Sequence, residues 1–542
     1  HELTFQRLSL KSSPDPLLET PSVLMESPQT TPGWAGLRLS LRDWSGRKSR
    51  LPAAKPVDYS SPPTLASSPT GHTVNTEPRP FCAPLHARYR AQPHERHTTR
   101  ALHLQNAVFR EPDLKIAIAG AGVVGITCAH ELTLDGHEVT VFERRSTVAE
   151  EASFANGALI APGWTAPWTL DHQRLEWPWS SHGAGLKLSR LPSAGEWNWL
   201  RQWRRAGQGP QSSSNHAQMH HWLQYSQERQ QSITDQYQFE HDRSHGMLVL
   251  LRTEQEATAA STPAQQLRDL GLTARLLSAD EARALEPSLN TETPLYGAVE
   301  LGGEAVANCR EFAVLLRAQT QRLGCQFEFN TIVSRIEPQP GSGVNLTLTH
   351  TASHPGDAPK DTSERFDAVV VCAGVAAVGL LAPLGLRLPL QAVAGHSLSA
   401  AVREPMDAPQ SAVLDARHGI SIARLGQRVR VAGGAEWGRE SGPPSKAALQ
   451  RLYSALADWF PGAVRLGGPA GSVQEWQGVQ ATVADGMPLL GASRLPGVWL
   501  NLGHGQAGWS VACGAARALA DRMGGRVPDI DMAACSPQRH GL

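Results

Sequence analysis

One stretch constrains this chain more than any other: a short apolar run, KIAIA, then GAGVVG, then a second run, EVTVFE, all between Lys115 and Glu143. A strand, a glycine-rich turn, a helix and a second strand follow one another, and Gly120, Gly122 and Gly125 stand at the GxGxxG spacing. The first glycine permits a tight turn, the second lets backbone approach a pyrophosphate, and the third lets the helix pack closely on the strand. Phosphate charge then faces the helix N-terminus. Glu143 follows about 20 residues on, where a carboxylate can accept from a pair of ribose hydroxyls. The stretch predicts a dinucleotide-binding unit, with NAD and FAD both compatible.

The chain is long enough, at 542 residues, for two or three domains, and its 50 basic and 50 acidic side chains cancel. Without a block of like charge, a nucleic-acid partner is not expected. The seven cysteines, Cys82, Cys128, Cys309, Cys325, Cys372, Cys513 and Cys535, form neither a CxxC pair nor a zinc-like spacing. A reducing compartment follows, and no metal is expected. Residues 1–112 are rich in Pro, Ser, Thr and Arg without periodicity, which predicts a disordered low-complexity extension. No charged stretch followed by an apolar core and cleavage site is visible there, so a secretory signal is not expected.

The run from Ala368 to Leu386 is long and apolar enough to raise a membrane span. Gly374, Gly379, Pro383 and Gly385 interrupt it, so a buried strand with a short helix is predicted instead. Between Leu186 and Gly207, Trp197, Trp199 and Trp203 stand beside Lys187, Arg190, Arg201, Arg204 and Arg205. Such a helix can lie in a membrane interface or pack with arginine stems over tryptophan.

Near the other end, GVWLNLG runs into Gly503-His504-Gly505-Gln506-Ala507-Gly508 and an Ala-rich helix. A second glycine-rich strand-to-helix turn suits another part of an extended cofactor. Together with SFANG from Ser153 and RVRVAGGAEWG from Arg428, these blocks make the chain from about Lys115 to Gly525 resemble the FAD-dependent D-amino-acid dehydrogenases, within the wider family of glycine and sarcosine oxidases. The resemblance implies an α/β fold: a Rossmann-like FAD-binding domain (113–185, 301–385, 476–530) interleaved with an α+β substrate domain built on an antiparallel sheet (186–300, 386–475), then a tail (531–542).

The resemblance further implies roles. Ile116, Gly120, Ala121, Gly122, Val123, Val124 and Gly125 would hold the pyrophosphate end of FAD, with Glu143 and Arg144 at the ribose and Val333 at the adenine. Asn156, Gly157, Ala373, Gly374, Gly503, Gly505, Gln506 and Gly508 would line the path to the flavin. No cysteine lies in EWQGVQATVADGMPLLG, so FAD is expected to be non-covalent. His504 is the candidate catalytic group, and His396, His418, Arg424 and Gln480 are candidate substrate ligands, with Arg424 offering a bidentate fork to a carboxylate. Where relatives commonly carry an Arg in G-x-R-P, this chain reads Gln480-Ala481. The implied partners are an amino acid and a quinone or other electron acceptor, in the cytoplasm with peripheral contact on the inner face of the plasma membrane. An oxygen-using amine oxidase and a flavin-binding protein without turnover are the alternatives.

Overall fold

The computed structural model describes residues 114–161, 175–177, 184–341, 343–351, 358–467 and 472–542. The extension 1–112, expected to be disordered, lies outside the described residues.

Two large sheets organise the rest. The first has six strands in the order Leu489–Ala492, Val498–Leu502, Ala368–Val371, Lys115–Ala119, Glu138–Phe142, Gln326–Glu328. All neighbours are parallel except the first pair. A parallel strand covered on both faces reads as unbroken apolar sequence, which is why KIAIA and AVVV carry no polar alternation. Ile116 and Ile118 turn toward a layer with the helices Val123–Leu134, Cys309–Arg322 and Gly508–Met523. Ala117, Ala119, Val369 and Val371 face the other way, onto Val333, Leu346 and Phe366 of a three-stranded antiparallel sheet, Thr331–Pro338, Val344–His350 and Lys360–Phe366.

Buried charge ties the helix layer together. Glu131, on the helix after the glycine turn, accepts from Arg229 at 2.7 and 2.8 Å and from Arg517 at 2.7 Å. Burial raises its pKa, but hydrogen bonds from His130 and Arg229, with the charges of Arg229 and Arg517, outweigh burial and bring it down to about 2. Stability from this group is therefore complete above the ordinary carboxylate range and fades as pH falls toward 2.

The second sheet runs in the order Val473–Val483, Leu390–Ala401, Arg428–Trp437, Ile420–Leu425, Ala412–Asp415, Ser244–Leu251, Gly297–Val306, Leu159–Ile160. Most neighbours are antiparallel. Leu398, Ala400, Val429 and Val431 face the helix Lys446–Trp459 through Leu449, Leu452 and Trp459. The opposite face looks toward the dinucleotide unit: Ser397 Oγ donates to the Ala155 carbonyl at 2.6 Å. Gly297–Val306 and Val473–Val483 belong to this sheet, so it extends past the expected boundaries at 300 and 475.

The apolar run from Ala368 breaks into a strand to Val371, a 3-10 turn Gly374–Ala376, the short helix Ala377–Leu381 and a second turn Ala382–Leu384. Among the described residues no helix is long and apolar enough to cross a membrane. The tryptophan and arginine stretch forms the helix Ala194–Ala206, with Trp199 and Trp203 buried against Leu186, Leu188, Val393 and Trp437. Arg201, Arg204 and Arg205 point outward. The tail 531–542 is docked: Arg539 donates to the Met487 and Pro488 carbonyls and pairs with Asp485 at 3.1 Å.

Candidate active site

The three glycines of the first turn do different work. Gly120 has φ +106°, and a Cβ there would lie 2.8 Å from the Cys372 carbonyl oxygen. A Cβ on Gly125 would collide with the Gly120 carbonyl oxygen. Both are needed for the fold itself. At Gly122 the only neighbour of a Cβ would be Ser153 Oγ at 3.5 Å, an ordinary contact, so packing does not demand glycine there. A bare backbone that the protein does not fill suits a pyrophosphate. Beside it, the Glu143 carboxylate is buried and accepts from Ala121 N–H at 2.7 Å and Arg145 N–H at 2.9 Å, which fixes it at the mouth of the turn. Arg144 and Arg145 close an ion pair on Glu151, Val333 is buried behind Phe142, and Gly374 takes φ +54° with open space around it.

From the glycine turn, a hydrogen bond from Val123 N–H to Ser153 Oγ, 3.1 Å, leads into the segment 152–158. Asn156 Oδ1 accepts from Ala158 N–H at 3.1 Å, and Ala158 holds φ +62°, a conformation that costs energy in a residue with a Cβ and marks constrained sites. This segment borders a cavity of about 180 Å³ whose other walls come from the antiparallel sheet and the second glycine turn. Asn156, Gly157, Ser421, Gln480, Gln506 and Trp509 line it, amid small and apolar groups such as Val393, Gly395, Leu414 and Ala432. Among the described residues lining it there is no Lys, Arg or Cys. Nearby Cys309 is fully buried, and burial pushes its thiol up to about 12, which makes it a poor nucleophile.

At the second turn, Gly503 has φ +79° and its Cβ would strike Val483 at 2.5 Å, while Gly505 has φ +53° against Thr482. His504 bridges to Thr482. Buried there, His504 Nε2 and Thr482 Oγ1 have no hydrogen-bond partner, and neither has Trp509 Nε1 in the cavity wall. Leaving buried polar atoms unpaired costs about 1–3 kcal/mol each. Such a set along the second turn fits a cofactor rich in hydrogen-bonding atoms, so the donor set and the bare Gly122 both fit FAD.

Several expected residues lie elsewhere. Ile116 is wholly inside the core, on the strand below the turn, and cannot meet a ligand. His418 donates from Nδ1 to the buried Asp415 carboxylate at 3.0 Å in a cluster with Arg252 and Trp459, outside the cavity lining. Arg424 spends its guanidinium on the Gly426 and Pro405 carbonyls at 3.2 and 3.3 Å. His396, by contrast, is among the residues bordering the cavity; alternation puts its ring on the face of Leu398 and Ala400, with Nε2 3.5 Å from Glu436. Burial alone lowers the pKa of His504 to about 4. The imidazole is therefore neutral at neutral pH, and it is absent from the cavity lining. Gln480 does point inward, paired in register with Val393. Sequence reading passed over Arg430, Ser421, Thr482 and Trp509; alternation of Val429 and Val431 in RVRVAGG would have placed Arg430 on the cavity side.

Residues 115–522 match the FAD dependent oxidoreductase family. A D-amino acid dehydrogenase of Cereibacter sphaeroides is 34% identical over 433 residues, 79% of this chain and 95% of that protein. Another, of Bradyrhizobium diazoefficiens, is 30% identical over 79% of this chain and 99% of its own length. In fold, the chain resembles the crystal structure of glycine oxidase from Geobacillus kaustophilus, with a TM-score of 0.60 at 20% identity, covering 79% of this chain and 99% of that one. The matched region spans both sheets and both glycine turns, and the chain belongs to the FAD dependent oxidoreductase family.

Proposed function

We propose that the protein is an FAD-dependent D-amino-acid dehydrogenase that converts a D-amino acid to its 2-oxo acid and ammonia and passes the electrons to a quinone or another acceptor. The observation that carries the reading is the match to named D-amino acid dehydrogenases along nearly their whole length. When bound, FAD supplies the two-electron acceptor for the Cα hydrogen. The chain's own residues supply position. Gly122 leaves room for the pyrophosphate, the Val123–Leu134 helix directs its N-terminus there, and Glu143 takes the ribose hydroxyls. Asn156 and Gly157 approach the flavin from one side and Gly503 to Gly508 from another. The small apolar lining excludes water around the reacting carbon.

Gln480 is the inward-facing amide at the position where relatives commonly carry Arg, and it holds the substrate carboxylate with neutral hydrogen bonds, about half as strong as charged ones. Simple D-amino acids therefore bind weakly. For location, the outward Arg201, Arg204 and Arg205 face anionic lipid at the inner face of the plasma membrane and bring the enzyme to a quinone pool; the buried Trp199 and Trp203 take no part in that contact. Turnover with a redox dye tests the reading: D-alanine or D-proline reduces the dye and yields 2-oxo acid, L-alanine does not, and peroxide does not accumulate in air. Stoichiometric peroxide would favour the oxygen-using oxidase instead.

A further inference from the structure

Arg430 is a buried cation with no carboxylate on it. It is 8% exposed, and it lies on the cavity-facing side of the strand Arg428–Trp437, opposite to Val429 and Val431. Its Nε donates to Ser399 Oγ at 3.0 Å and its Nη1 to the Asn156 carbonyl at 3.5 Å, both neutral oxygens. Arg229, Arg252 and Arg517, by contrast, end on carboxylates: Glu131, Asp415, and Glu131 with Asp135; Arg243 and Arg283 end on neutral oxygens but are less buried than Arg430. Burial brings the pKa of Arg430 down to about 10; Cys309 and Asp242 favour its charge through space, and Arg428 repels it. An uncompensated buried ion costs several kcal/mol, and in a low-dielectric interior its field reaches the adjoining cavity with little screening.

Its position tells which anion it serves. Asn156, whose carbonyl it meets, lines the cavity at the end of the segment hydrogen-bonded to the first glycine turn through Ser153. Ala432, two residues on, is 3.8 Å from where a Cβ on Gly157 would stand. Gln480 is two strands away, beyond Leu390–Ala401. The cation therefore sits on the cofactor's side of the cavity and away from the substrate amide.

We propose that Arg430 is a positioning residue for the redox step, its positive charge held behind Asn156 to balance the negative charge that bound FAD gains on two-electron reduction. This rests on the FAD-linked amino-acid oxidation proposed above. In that reaction the Cα–H bond of the neutral amine breaks with its electron pair; two electrons and one proton enter the cofactor, which gains one negative charge, and the substrate becomes an iminium ion. Water then replaces nitrogen, releasing the 2-oxo acid and ammonium. A fixed cation near the acceptor favours the reduced form, whichever donor supplies the electrons.

The test is the two-electron midpoint potential of the full-length holoenzyme, equilibrated with a reference dye under xanthine and xanthine oxidase, a reductant that needs no amino-acid activity. Arg430→Met should shift the reduction equilibrium at least tenfold toward oxidised cofactor, a fall of about 30 mV. Arg430→Lys should stay within about threefold of wild type. Ser399→Asp keeps the guanidinium but gives it a carboxylate, and should shift the equilibrium in the same direction as Arg430→Met. Should Arg430→Met fail to retain FAD, Ser399→Asp and Arg430→Lys decide. Unmoved potentials overturn the proposal, as does a tenfold loss of propionate affinity without any change of potential, which would assign the charge to the substrate carboxylate. Failure of D-amino acids to reduce the flavin would count against the proposed function and leave this measurement unaffected.

Discussion

Gly122 and Gln480 are the two positions where a single side chain reports most on function. Gly122→Val adds atoms where only Ser153 Oγ is near, so the variant should fold and melt within a few degrees of wild type yet retain little FAD after gel filtration. Stoichiometric flavin in that variant would remove the cofactor assignment. Gly125→Val is the control, since its side chain meets the Gly120 carbonyl and should cost the fold as well. For Gln480→Arg the expected outcome is a KM for D-alanine lowered about tenfold, roughly 1.4 kcal/mol of added binding; micromolar KM in the wild type would contradict it. His504 makes a pH prediction. Its imidazole is lowered from about 6.5 in an unfolded chain to about 4 in the fold, so the unfolded state binds more protons between these values. Stability is full above about pH 6.5 and falls as pH drops toward 4, by up to about 3 kcal/mol from this group. Melting temperature against pH should show a shallower acid loss in His504→Gln than in wild type, and parallel curves would place His504 in a wetter site.

At the level of elements, strand and helix identities were legible wherever sequence ran unbroken and apolar, as in KIAIA, EVTVF and AVVV, because parallel strands buried on both faces leave no polar interruption. Side-chain direction was less so. His396 borders the cavity yet shares the strand face of Leu398 and Ala400, toward the Lys446–Trp459 helix, and the bulge beside it, where Gly434 of the neighbouring strand has no partner, shifts the register in a way sequence alone does not show. His418 and Arg424 sit around a hairpin whose turn directs them to Asp415 and to the Pro405 carbonyl, a matter of register and not of composition. The helix Ala194–Ala206 carried two readings because tryptophan suits both a bilayer interface and a core; burial of Trp199 and Trp203 leaves arginine as its outward chemistry. Charge reversal of Arg201, Arg204 and Arg205 to Glu should therefore abolish sedimentation with phosphatidylserine vesicles at low salt while leaving flavin content intact. Equal binding by wild type and the reversed variant, or none by either, would remove the membrane contact from the proposal.

Across the whole molecule, the two glycine turns were legible because each is written as a contiguous motif, whereas the cavity between them and the antiparallel sheet is assembled from strands far apart in the chain and has no local signature. Ser421, Gln480 and Trp509 meet only after folding, which is why His418 and Arg424, expected at the substrate, could lie off the cavity without any local sign of it. At the centre of the proposed function, FAD held between these sheets takes electrons from the Cα of a D-amino acid. Anaerobic titration of the purified full-length protein with D-alanine, D-proline and an apolar panel, each against its L-isomer, reads that transfer directly. A D-isomer should bleach the flavin absorbance with one equivalent of 2-oxo acid formed per flavin, its L-isomer should not, and acid precipitation afterwards should release all the FAD. A flavin that no D-amino acid bleaches, although dithionite reduces it fully, would contradict the proposed function.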